Sequence, residues 1–168
     1  MKKSRDYFKV FIQRATRLNT MKIALNTYSI RREWFLLTSM GLEPIYKILK
    51  MLKVSDVELY DGSYQKKPQK LKEVLDNFES NDVNVFSLGE HPHLLTNPKN
   101  FDSAIEEGKQ CVDLCANNGI KRFRVSIGGG KYDPLTEKPE NIDQAVEWGV
   151  EVMRPVVEYA EEKGITLC

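Results

Sequence analysis

Strand-like openings recur near residues 22, 55, 83, 122 and 165, and between successive openings lies an amphipathic helical stretch. "MKIALNTYS" (21–29) reads as a strand, and Pro44 then opens a helix carrying Ile45, Ile48, Leu49 and Leu52 on one face. "VSDVELYD" (54–61) is the second strand, followed after Pro68 by the stripe Leu71, Val74, Leu75 and Phe78. "DVNVFSLGEH" (82–91) is the third, and its helix runs from about Asn100 through Phe101, Ala104, Ile105, Val112 and Cys115 to a left-handed stop at Gly119. "KRFRVSIGGG" (121–130) is the fourth, with a helix from about Asn141 past Trp148. Pro155 is expected to kink or break that helix, because it removes a donor and crowds the preceding turn. Gly164 ends it, and Ile165-Thr166-Leu167 begins a fifth strand. Such alternation calls for a parallel sheet with right-handed crossovers, either an open doubly wound sheet or a (β/α)8 barrel. The pattern does not choose between them.

At 168 residues and 41% hydrophobic, the chain suits one globular domain, and no run of about 18 apolar residues marks a membrane span. Three scattered cysteines make no disulfide framework, so a reducing, cytoplasmic setting is expected. Cys111 and Cys115 lack a second ligand pair for zinc and read as small residues of a helix face. The net charge of +1 conceals an uneven distribution: residues 1–20 hold six Lys or Arg against one Asp. Phe8, Phe11, Ile12, Ala15 and Leu18 can share one helical face there, which suggests a membrane-surface or targeting segment. The simpler reading is a basic N-terminal extension, with the domain proper spanning residues 21–168. The net-acidic body has no basic stripe interleaved with aromatics, which argues against nucleic acid as a partner.

Four stretches together carry a family likeness: the opening "MKIALNTYSI", the second strand "DVELYD", the fourth strand "FRVSIGG" with its leading arginine, and the closing "RPVVEYAEEKGITLC". In order and spacing, residues 21–168 resemble the N-terminal half of the xylose isomerase-like TIM barrels, a group of sugar phosphate isomerases and epimerases. The resemblance implies an α/β fold of the parallel barrel type, truncated after four β/α units and the start of strand five. It further implies metal-assisted proton transfer next to a sugar carbonyl, with a divalent ion (Mn, Mg, Co or Zn) held by residues that would follow Cys168. On that view the chain alone is inactive. The alternative is a non-catalytic half-barrel module that pairs with itself or with a separate C-terminal half. Two open sheet edges and an open, apolar interior are expected to make it a poor monomer.

Barrel sites gather at the C-terminal ends of strands. The substrate-binding candidates are therefore Asn26 and Tyr28 after the first strand, Glu58 on the second, His91 and His93 after the third, and Arg124 on the fourth, with Asp61, Glu90 and Ser126 nearby. Glu58 lies within an apolar strand, where a carboxylate needs a partner. It either meets substrate or pairs with Arg124 in a salt-bridged layer of the barrel floor, and Arg124 has the same two readings. "GEHPHLL" places two imidazoles two residues apart, a spacing compatible with metal, with substrate contact or with a solvated loop. The glycine-rich "IGGGK" (127–131) lacks the helix start of a strong phosphate site.

Overall fold

The computed structural model describes residues 23–30, 42–60, 67–90, 98–125 and 139–168. Five strands alternate with four helices: β1 (Ala24–Asn26), α1 (Glu43–Leu52), β2 (Asp56–Tyr60), α2 (Pro68–Glu79), β3 (Asn84–Glu90), α3 (Phe101–Asn117), β4 (Arg122–Val125), α4 (Ile142–Glu162) and β5 (Thr166–Leu167). Short 3-10 turns follow β1 at Thr27–Ile30 and precede α3 at Pro98–Asn100. All strand pairs are parallel, and the order is β1-β2-β3-β4-β5. A doubly wound sheet reverses direction at a switch point, whereas this order advances without reversal, as in a barrel. Right-handed crossovers then place every helix on one face of the sheet.

That face holds the core. Val57 and Leu59 of β2, Leu88 of β3 and Phe123 of β4 are fully buried against Ile45 and Leu49 of α1, Leu71 and Phe78 of α2, Val112 of α3 and Val156 of α4. Cys111 and Cys115 are buried in the same cluster, as expected of small helix-face residues. Helix boundaries follow the sequence signals closely. Asn141 caps α4 by accepting from the Gln144 amide, and Gly119 and Gly164 take the left-handed conformation that stops α3 and α4.

Three expectations need correction. Of the kink or break expected at Pro155, the break does not occur: α4 is continuous over Ile142–Glu162. Val152 before the proline and Val156 and Ala160 after it are all buried, and their burial offsets the roughly 3 kcal/mol that an interior proline costs. The first strand is shorter than its β-rich sequence suggested, because the chain turns into a 3-10 segment at Thr27. There the Thr27 hydroxyl accepts from the Tyr60 amide at 2.7 Å and donates to the Tyr60 carbonyl at 3.2 Å, replacing ladder bonds with a side-chain clip. Finally, the sheet face away from the helices is not uniformly apolar. Among the described residues it carries Asn26, Glu58, Tyr60, Arg122 and Arg124 beside Phe86, whose ring lies under the Arg122 guanidinium, so polar groups share the face with an aromatic ring.

Candidate functional site

Strand alternation sends Val57 and Leu59 to the helices and Glu58 and Tyr60 to the opposite face. Asn26 is the register partner of Glu58, and its side-chain amide donates to Glu58 Oε1 at 2.7 Å. The same Oε1 accepts from Nε of Arg124, whose side chain crosses β3 to reach β2. The Glu58 side chain is 15% exposed and that of Arg124 28%, so the pair is half-sheltered and open toward the free face.

Two neighbours shape the path of the arginine. Gly89 is the register partner of Arg124, and a Cβ at Gly89 would lie 2.7 Å from Nη2 of the guanidinium. The Tyr60 ring lies 5.4 Å from the guanidinium carbon, within cation–π range. Tyr28 packs edge-on against Tyr60 at 4.8 Å, and its backbone amide donates to Asn26 Oδ1 at 2.7 Å. Asn26 is thereby oriented with its carbonyl oxygen on the turn and its amide on Glu58.

Four of the six sequence-predicted residues, Asn26, Tyr28, Glu58 and Arg124, thus come together. His91 and His93 lie outside the described residues, as do Asp61, Ser126 and the "IGGGK" stretch. The sequence reading missed Gly89, Tyr60 and Thr27. A glycine inside the strand "VFSLGEH" was the available signal for the first, since such glycines often mark a close approach. The Thr27 clip has no comparable local signature.

The cluster is formally neutral, one carboxylate against one guanidinium, with amide and phenol groups around it. Such a set suits the hydroxyls of a polyol, which both donate and accept, better than an isolated anion. Among the described residues no three His, Cys, Asp or Glu side chains converge on a point that could hold an ion, and Glu58 is engaged by Asn26 and Arg124. No described helix is long and apolar enough to cross a membrane.

No protein-family model and no curated protein matches the chain. Solved structures do. A sugar phosphate isomerase/epimerase from Parabacteroides distasonis shares 20% identity at a TM-score of 0.61, over 89% of this chain and 51% of that one. The probable 3-DHS dehydratase AsbF from Bacillus anthracis shares 15% at 0.59, over 88% and 51%. The IolI protein, solved with a bound zinc atom, shares 17% at 0.58, over 88% and 50%. The chain spans about half the length of the structures it matches.

Proposed function

We propose that this chain, which has the fold of the xylose isomerase-like barrels, supplies the first half of a sugar isomerase or epimerase site and recognises substrate hydroxyls. The observation that carries the reading is the Asn26–Glu58–Arg124 cluster, presented on the free face of a parallel sheet whose order runs as in a barrel. Glu58 accepts a hydrogen bond from a sugar hydroxyl with its second oxygen, Arg124 donates to another, and Tyr60 and Tyr28 offer an apolar wall to a sugar C–H face. Because the pair is neutral, it reads the uncharged end of the substrate, and a phosphate, where one is present, is held elsewhere.

Carbonyl polarisation and proton transfer belong to residues outside those described, so no step runs through a metal here. Bound divalent ion in the complete site would supply the polarisation. The chain alone is expected to show no sugar turnover at any divalent metal concentration.

Side-chain NMR of the full chain tests the recognition step. A neutral ketohexose at millimolar concentration should shift the Arg124 Nε–H and the Asn26 amide, and Glu58→Gln should remove the response. No shift at either group, or a stronger response to inorganic phosphate than to the sugar, would overturn it.

A further inference from the structure

β3 carries one residue more than its pairing with β2 uses. Val85 pairs with Val57 and Ser87 with Glu58, so Phe86 between them is a bulge without a partner on β2. Excising it would leave every β2–β3 pair in step, with Val85 and Leu88 still packed toward the helices. The bulge therefore serves neither the register nor the core. What it adds is a phenyl ring on the free face, and bulges of this kind re-aim a side chain beside a site. The ring lies under Arg122, whose guanidinium carbon is 5.7 Å from its centroid.

Arg122 and Arg124 share this face but differ in their surroundings. Arg124 is bonded to Glu58, whereas among the described residues no carboxylate pairs with Arg122, which is exposed. The other carboxylate of the face, Asp56, accepts from the Asn84 amide at 2.6 Å. Thr166, the register partner of Arg122 on β5, is exposed on the same face. A guanidinium braced by a ring, with its fork open and a hydroxyl donor beside it, is a donor set for an oxyanion. Continuing the Leu88–Phe123 register by one step sets Arg122 beside Ser87, and so level with Glu58 two strands away. That separation is about 10 Å between backbones, comparable to the length of a six-carbon sugar with a charged group at its end. We infer that Arg122, positioned by Phe86, and Thr166 form a subsite for a terminal oxyanion, phosphate or carboxylate, of the substrate whose hydroxyls meet Asn26, Glu58 and Arg124. The inference rests on that hydroxyl reading and gives the charged end of the substrate its own place on the same face.

Side-chain NMR titrations of the full chain with inorganic phosphate, D-fructose, D-fructose 6-phosphate and D-gluconate test this. Inorganic phosphate should shift the Arg122 Nε–H and leave that of Arg124 in place. At least one of the two charged sugars should bind at least about tenfold tighter than fructose and shift both arginines. The ratio of charged to neutral affinity should fall toward one in Arg122→Gln, and most of the way in Phe86→Leu, which keeps the chain length but removes the ring. Arg122→Lys should keep part of it. A merely structural loss would weaken all the sugars together and leave the ratio unchanged, and that result in Arg122→Gln would overturn the inference. So would an Arg122 signal unmoved by millimolar phosphate while fructose shifts Asn26 and Arg124, in which case the hydroxyl reading stands alone. Phosphate shifting Arg122 while no sugar shifts Asn26 or Arg124 would sink the hydroxyl reading and the joint site with it, leaving Arg122 to a free oxyanion.

Discussion

Gly89→Ala should destabilise the protein when Arg124 is present and not when it is absent. In extended backbone a Gly→Ala change ordinarily stabilises by about 0.4–1 kcal/mol, by restricting the unfolded chain. Gly89 does not have a positive φ, so that gain is open to it. The new Cβ, however, would sit 2.7 Å from Arg124 Nη2 and 3.1 Å from Tyr60 Cδ2. The guanidinium is the flexible end and must give way, which weakens its hydrogen bond to Glu58. A charged hydrogen bond of this kind contributes about 1.5–3 kcal/mol, but the groups are partly exposed and water restores part of it. The net effect is a loss of about 1 kcal/mol. With Arg124→Ala in the background the nearest contact is to Tyr60 Cδ2 at 3.1 Å, a few tenths of an ångström too tight, and the alanine should be neutral or gain about 0.5 kcal/mol. Urea denaturation of the four proteins reads the cycle, with an expected coupling of about 1.5 kcal/mol. Equal effects of Gly89→Ala in both backgrounds, or a more stable single variant, would refute the idea that Gly89 clears the path of the arginine.

Two further predictions concern the scaffold. Lys53 caps α1 in the left-handed conformation, at φ 54°, with its amide bonded to the Leu49 and Lys50 carbonyls, so Lys53→Gly should raise stability by about 0.5–1 kcal/mol in urea denaturation. Burial, and secondarily the Glu43 carboxylate, holds the Tyr46 phenol above its usual range, while hydrogen bonds to Tyr159 and Asp113 hold the Lys163 ammonium above its own. Both groups keep their protons longer in the folded state than in the unfolded one. Their contributions are complete below about pH 10 and are lost as pH rises through the raised folded values. The urea midpoint should therefore fall above about pH 10, and less steeply in Tyr46→Phe; an unchanged profile in that variant would count against the Tyr46 contribution.

What was legible in the sequence was whatever a short window decides. The period-two runs gave the strands, the apolar spacing with Pro44, Pro68, Gly119 and Gly164 gave the helix limits, and Glu58 in an apolar strand announced a charged partner. What escaped depended on neighbours distant in sequence. The helix continues through Pro155 because Val152, Val156 and Ala160 are anchored against elements far away, an energy no local propensity contains. β1 stops early because Tyr60, 33 residues on, offers the Thr27 hydroxyl both a donor and an acceptor. The expectation of an apolar inner face came from treating the sheet as a generic barrel wall, although "DVELYD" and "KRFRV" each place polar residues at alternate positions.

That alternation bears on how the sheet face away from the helices meets water. If the face away from the helices carried Val and Leu, the sheet would need a second layer to fold without aggregating. With Asn26 and Arg124 both bonded to Glu58 and the Tyr60 ring against the guanidinium, the groups proposed to meet a sugar hydroxyl already engage one another. The two roles pull against each other, because a ligand must compete with the Arg124–Glu58 bond for the groups it needs. On the proposed reading, recognition exchanges one of these bonds for a contact to a sugar hydroxyl, which favours weak binding of neutral groups over strong anion binding.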